Sequence, residues 1–151
     1  TYNTAIGQYG LQITPLQAVR GIASIANNGY VLTPTVIKAG LTSKATDKFL
    51  NLNQDYFSIV KDGMRLAVTE GTAKALNVPY VSVSAKTGTA ELGTVKTRVN
   101  SWVIGFFPTE HPRYAFAIEK EKGVANNQVG ASLIMRQVLD WMSIYKSDYF
   151  K

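Results

Sequence analysis

Apolar residues recur at helical spacing in three stretches of the chain and alternate with polar residues in another. Thr14-Pro15-Leu16-Gln17 opens the first helical stretch. Threonine followed by glutamine three residues later forms a capping box, and proline stands at the first helical position, where its missing N–H costs nothing. Leu16, Val19, Ala23 and Ala26 follow at three- and four-residue spacing, and Ile22 and Ile25 widen the stripe. Asn27-Asn28-Gly29 supplies a left-handed stop. The nearly apolar surface of this helix predicts burial on more than one side. A second helix runs from Asp55 to Gly71, with Tyr56, Ile59, Val60, Met64 and Ala67 as its apolar positions. Gly63 within it costs about 1 kcal/mol relative to alanine and marks a place for close packing. Ala131, Ile134, Val138, Trp141, Met142 and Tyr145 predict a long C-terminal helix.

Val81-Ser82-Val83-Ser84-Ala85 alternates with the period of a strand. Residues 99–107 are β-branched and aromatic, and Arg113 to Glu119 reads as the return strand across a turn from Pro108 to Pro112. Three antiparallel strands follow, with a tight hairpin between the second and third. Tyr30 to Ala39 reads as extended, broken by Pro34. Residues 42–54 read as a polar surface loop, and Gly123 to Asn127 as another. The order is helix, helix, three strands, helix. Helices packed on an antiparallel sheet make an α+β domain. The 151 residues suffice for one such domain, with no internal repeat.

Composition narrows the chemistry. Hydrophobic residues make up 46% and charged residues 17%, which is core-forming rather than disordered. Without cysteine there is no disulfide or thiol chemistry, and a single histidine, His111, argues against His-based metal sites and Ser-His-Asp triads. Nucleophilic chemistry here needs a lysine or carboxylate base. The net charge is +6, but the lysines are scattered and read as a solvated surface rather than a nucleic-acid face. No apolar run approaches the roughly 18 residues that span a bilayer. The chain opens at Thr1 without an initiator methionine, so the lack of a targeting segment says little about the parent protein.

Lys86-Thr87-Gly88-Thr89 closes the alternating strand. Lys-Thr-Gly is one of three signatures of penicillin-binding proteins and serine β-lactamases, and alone it is a weak one. Its surroundings add to it. Ile6-Gly7-Gln8-Tyr9-Gly10 and Ile13-Thr14-Pro15-Leu16-Gln17, then Val60 to Met64 and Gly71-Thr72-Ala73, precede it. Ala85 to Glu91, Ser101 to Pro108 and Met135 to Asp140 complete the series. In content and order these blocks resemble the class B penicillin-binding proteins, and among them the elongation-specific transpeptidases of rod-shaped bacteria.

That resemblance implies the C-terminal portion, residues 1–151, of a single penicillin-binding transpeptidase domain. It implies peptidoglycan D,D-transpeptidation through a serine acyl-enzyme, with β-lactams as mimics of the donor stem peptide. It also implies a role for each motif residue. Lys86 organises the site electrostatically and bonds the serine of a Ser-x-Asn motif. The hydroxyls of Thr87 and Thr89 receive the substrate's terminal carboxylate. Gly88 leaves room for an incoming backbone. The Thr89 N–H is one oxyanion-hole donor, a group worth ~3 kcal/mol in the transition state. No metal or organic cofactor is implied. The implied partners are the upstream part of the same domain, an elongation-complex glycosyltransferase and a membrane scaffold. The implied place is the periplasmic face of the cytoplasmic membrane, with the anchor outside this chain.

The chain departs from the family pattern in one large respect. It contains no Ser-x-Asn or Ser-x-Asp. Two Ser-x-x-Lys strings, Ser58 to Lys61 and Ser143 to Lys146, stand at the wrong places and read as chance matches. The nucleophile is therefore expected upstream, and the chain alone is expected to be inactive and marginally stable. A D,D-carboxypeptidase or β-lactamase shares Lys-Thr-Gly and remains an alternative, as does a non-catalytic module that binds β-lactam or wall peptide. Trp102, Phe106 and Phe107 read as core rather than as a stacking platform. His111 reads as an exposed turn residue, Glu91 as a solvated charge, and the segment from Gly7 to Gly10 as either a helix-entry turn or a loop near the cleft.

Overall fold

The computed structural model describes residues 7, 11–36, 48–125 and 129–150. Helix α1, Pro15–Ala26, begins as its sequence requires. The Thr14 hydroxyl accepts from the Gln17 N–H, and the Gln17 side chain accepts from the Thr14 N–H at 2.8 Å. It ends at Asn27, and Asn28 (φ 61°) and Gly29 (φ 105°) turn the chain through the left-handed region. Ala18, Ile22 and Ala26 are buried on one face and Ser24 on the opposite one. Residues 22–27 are all buried or half-buried, so the expected burial on more than one side holds for the second half of the helix, whereas Leu16 at its start is exposed.

Strands β1, Tyr30–Val31, and β2, Lys48–Phe49, pair antiparallel. The expected loop 42–54 is corrected accordingly over its described residues: Lys48 and Phe49 are paired, and Gln54 already begins a helix. Residues 37–47, which hold the rest of that loop and the end of the expected extended run, lie outside the described residues. Helix α2, Gln54–Thr69, is capped by the Asn53 side chain, which accepts from the Asp55 N–H at 3.0 Å. Its buried residues are Phe57, Met64 and Val68, while Tyr56, Ile59 and Val60 are exposed. Only Met64 of the expected face is buried, because the sheet meets α2 about one position round from the periodic stripe. Gly63 has open space where a side chain would stand, so no close packing explains it.

The main sheet has the order β3-β4-β5, all antiparallel, with β3 Ser84–Leu92, β4 Arg98–Phe107 and β5 Tyr114–Val124. Three antiparallel strands were expected, but their limits differ. Val81 to Val83 precede β3, and pairing with β4 carries β3 on to Leu92. The Lys86-Thr87-Gly88 motif therefore lies mid-strand rather than at a strand end. Gly123 and Val124 pair within β5 instead of forming a loop, and residues 126–128 lie outside the described set. The β4–β5 connection, residues 108–113, is longer than a tight hairpin and carries a cis Phe107–Pro108 bond.

Helix α3, Ala131–Tyr145, covers one face of the sheet and α1 the other. Val83, Ala85, Val103 and Phe107 point to the α3 side and pack with Ala131, Met135 and Leu139. Phe106 points to the α1 side and packs with Ile22, Ala26 and Met64. Helix α2 contributes Met64 to one cluster and Val68 to the other, so it closes the top of the sheet beside β3. The buried stripe of α3 is Ala131, Met135 and Leu139. Val138, Trp141 and Tyr145 of the expected stripe are exposed. The α+β class stands, as helix, sheet and helix layers.

Three hydrogen bonds fasten α3 to its surroundings. Asp140 accepts from the Tyr80 hydroxyl and from Arg136 Nε at 2.9 Å, and Arg136 Nη1 reaches the Ala75 carbonyl at 3.2 Å. The Ala131 N–H at the start of α3 donates to Ser101 Oγ at 3.0 Å.

Candidate active site

Strand β3 pairs with β4 on one side, and among the described residues no strand lies on its other side. An open edge of this kind offers backbone donors and acceptors to an extended ligand. Alternation along β3 sends Thr87 and Thr89 to the α3 face and Lys86 and Gly88 to the α1 face. Both threonines thus share a side, as joint recognition of one carboxylate requires.

The Thr87 hydroxyl lies 2.6 Å from that of Thr72, in the turn after α2. Lys86 is exposed, and its Nζ donates to the Thr87 carbonyl at 2.5 Å. A Cβ at position 88 would come to 3.4 Å of Trp102 Cβ, ordinary contact. Glycine here therefore leaves open space above Trp102 rather than relieving a clash. Gly105 is the opposite case: a Cβ there would run into the Ser84 carbonyl oxygen and the Phe116 ring.

A cavity of about 460 Å³ opens beside this strand on the α1 side. Its roof comes from Gly7, Leu11 and Ile13, ahead of α1, and from Ala18. Residues 86–90 form its rim, and Ile104, Trp102, Asn100 and Glu119 form its floor. Gly7 places the start of the glycine-rich segment near the cleft; Gln8 to Gly10 lie outside the described residues.

Glu119 is the floor residue that sequence patterning missed. It stands opposite Trp102 in the β4–β5 register. Burial, followed by the nearby charge of Glu121, pushes its carboxyl above the usual range, and hydrogen bonds from Trp102 and Asn100 pull the other way. Asn100 Nδ2 donates to its Oε1 at 3.0 Å. Trp102 therefore departs from the core role expected of it: half-buried, it forms cavity floor, while Phe106 and Phe107 are core.

The remaining sequence candidates lie elsewhere. Ser58 is exposed on α2, and Lys61, its supposed partner, donates to Asn28 Oδ1 at 2.6 Å. Ser143 donates to the Asp140 carbonyl at 2.7 Å. Neither serine lines the cavity. Glu91 is exposed and pairs with Lys96 at 2.7 Å, and His111 is exposed in the β4–β5 connection.

Residues 1–140 match the family model of the penicillin binding protein transpeptidase domain. Penicillin-binding protein H of Bacillus subtilis is 33% identical over 136 residues, covering 76% of this chain and 19% of that protein. The peptidoglycan D,D-transpeptidase PbpA of Mycolicibacterium smegmatis is 27% identical over 129 residues, covering 80% of this chain and 26% of its own length. In three dimensions the chain is similar to penicillin-binding protein A from M. tuberculosis in its imipenem acyl-enzyme complex. The TM-score is 0.75 at 29% identity, over 91% of this chain and 32% of that one. The chain thus spans between a fifth and about a quarter of the curated relatives quoted.

Proposed function

The chain belongs to the penicillin-binding protein transpeptidase domain family, and from that membership we propose that residues 1–151 are the C-terminal portion of one peptidoglycan D,D-transpeptidase domain. The observation that carries this reading is the placement of Lys86-Thr87-Gly88-Thr89 mid-strand, at an open sheet edge and along the rim of the cavity.

The reaction divides into two acyl transfers. A serine supplied by the upstream part of the domain attacks the carbonyl of the penultimate D-Ala of a stem peptide. Its Oγ–carbon bond forms, the bond to the terminal D-Ala breaks, and that residue leaves with the proton the serine gave up. The amine of a neighbouring stem then attacks the ester, forms the cross-link and returns the serine. A β-lactam enters the first step and stalls before the second.

This chain's residues serve both steps from the edge of β3. Thr87 and Thr89 receive the terminal carboxylate through their hydroxyls. The Thr89 N–H, paired with the serine's own N–H, holds the developing oxyanion. Lys86 carries a positive charge at the rim, where it draws the anionic terminus and bonds the hydroxyl of a Ser-x-Asn motif from upstream. Gly88 keeps the edge clear for the ligand backbone.

The place of action is outside the cytoplasm, at the periplasmic face of the membrane, and a glycosyltransferase and scaffold of the elongation machinery are the proposed partners. The names of the relatives, peptidoglycan D,D-transpeptidases among them, support the reading. The test is intact-mass analysis after incubation with a β-lactam, on this chain alone and on the parent protein. An adduct only on the parent, mapping upstream of Thr1, is the expected result. An adduct on Ser58 or Ser143 would overturn the motif assignment. No adduct on either would favour a non-catalytic binding module.

A further inference from the structure

Trp102 stands between Gly88 of β3 and Glu119 of β5 in register, and all three line the cavity. On the β3 side Gly88 contributes no side chain to hold the indole. The polar hold on the ring comes from the other side. The indole N–H donates to the Glu119 carboxylate, and Asn100 Nδ2 donates to Glu119 Oε1 at 3.0 Å.

Asn100 is itself held by a β-bulge. The register slips between Val99 and Ser101, so Asn100 alone faces Glu121 and Lys122. Lys122 takes φ 50° there. Its N–H donates to Asn100 Oδ1 at 2.9 Å, and its carbonyl accepts from Arg98 Nη1 at 2.9 Å. A backbone N–H can only donate, so the Asn100 amide has one orientation, with Oδ1 on Lys122 and Nδ2 on Glu119. The indole N–H is a donor only as well. Residue 119 must therefore accept twice and donate nowhere, which an ionised glutamate does and a glutamine does not. Lys86 lines the same cavity, so the carboxylate is not a lone charge there. Its chemical form answers to the two donors.

We propose that Glu119 is a positioning residue for the transpeptidase site: the bulge at Lys122 fixes Asn100, Asn100 fixes Glu119, and Glu119 holds the Trp102 indole as a set cavity floor beside the open edge of β3. The inference rests on the proposed function, and it adds to it a residue that acts through another, two strands away from the motif. What a ligand meets is the ring, and the charge at position 119 serves only to accept from the two donors. With the ring already oriented, a ligand finds a preformed surface and loses no binding energy in ordering it.

The experiment uses the intact parent protein and exchanges the partners. Glu119→Gln turns an amide NH2 towards a donor, and Asn100→Asp sets a carboxylate against the Glu119 carboxylate. The double variant restores a complete set with the charge moved. Its new carboxylate at 100 accepts from the Lys122 N–H and from the amide at 119, whose oxygen accepts from the indole. Two quantities are read. One is the NMR signal of the Trp102 indole N–H in protein carrying nitrogen-labelled tryptophan, assigned by its loss in Trp102→Phe. The other is the second-order rate constant of acylation by benzylpenicillin, which does not depend on the fraction of protein folded. Each single variant is expected to shift the indole signal and to slow acylation about fivefold, the weight of one hydrogen bond. The double variant is expected to return both to the values of the unmodified protein. Unchanged acylation in Glu119→Gln, or a double variant no better than the singles, overturns the role while leaving the transpeptidase reading in place. An indole signal restored in the double variant without the acylation rate would show that the ligand reads the charge at position 119, and overturns it too. Failure of benzylpenicillin to acylate the unmodified parent overturns the transpeptidase reading and this role with it.

Discussion

The hydroxyl oxygens of Thr72 and Thr87 lie 2.6 Å apart, so the turn after α2 is tied to the centre of the motif strand. The bond fixes the rotamer of a side chain that the proposed reaction needs pointing at a carboxylate. Replacing Thr72 by valine keeps the shape and removes the partner. A bond of this kind is worth about 1 kcal/mol, so T72V is expected to slow acylation of the parent about fivefold. Stopped-flow acylation with a fluorescent penicillin measures it; an unchanged rate would show that Thr87 needs no such support.

Gly88 and Gly105 face each other's strands but answer to different demands. G105A is expected to lose roughly 1–3 kcal/mol of stability or more, because its methyl collides with the Ser84 carbonyl and the Phe116 ring. G88A meets Trp102 at ordinary contact distance. It is expected to unfold within ~1 kcal/mol of the parent while acylating more slowly. Denaturant melts and acylation rates on both variants separate the two roles, and an equal loss of stability in each would refute the distinction.

Leu139 is fully buried among Val103, Met135 and their neighbours under α3. L139A should cost about 2–5 kcal/mol through lost transfer energy and the cavity left behind. A midpoint shift smaller than that range in chemical denaturation would mean the α3 layer is loosely held.

Tyr80 donates its hydroxyl proton to Asp140, and burial, then that hydrogen bond and the carboxylate's charge, push its pKa from 10.0 up to about 12. The folded state therefore holds the proton more tightly than the unfolded chain. The stability this contributes is complete below pH ~10 and is lost as the pH rises towards 12. Asp140 behaves in the opposite sense, its carboxyl held low first by Tyr80 and then by Arg136. Its contribution is present at neutral pH and lost in acid. A spectrophotometric titration should show one tyrosine ionising near pH 12 that is missing in Y80F; a difference titration centred near 10 would contradict the link.

Leu11, Ile13 and Leu16 near α1, and Tyr56, Ile59 and Val60 on α2, are large apolar side chains left exposed. Together with the open edge of β3 they predict that the isolated chain is marginal and prone to associate. Analytical ultracentrifugation with a parallel denaturant melt tests this. A monomer unfolding cooperatively at a high midpoint would refute it.

The two ends of α1 were legible from residues alone because they depend on partners within four positions. The reciprocal bonds of Thr14 and Gln17 and the left-handed Asn28-Gly29 are of this kind. Strand alternation and the order of the motif blocks carried the fold class and the family resemblance for the same reason: both are written along the chain. Tertiary structure decided which side of each helix is buried. Periodicity marks a stripe but not the angle at which a sheet meets it, so Ile59 and Val60 came out exposed and Phe57 buried. It also decided the length of β3, since Thr89, Ala90 and Glu91 are strand only by pairing with Ser101, Asn100 and Val99. Glu119 and Trp102 meet because β4 and β5 adopt one register out of several that their patterns allow, and no local signal encodes that choice.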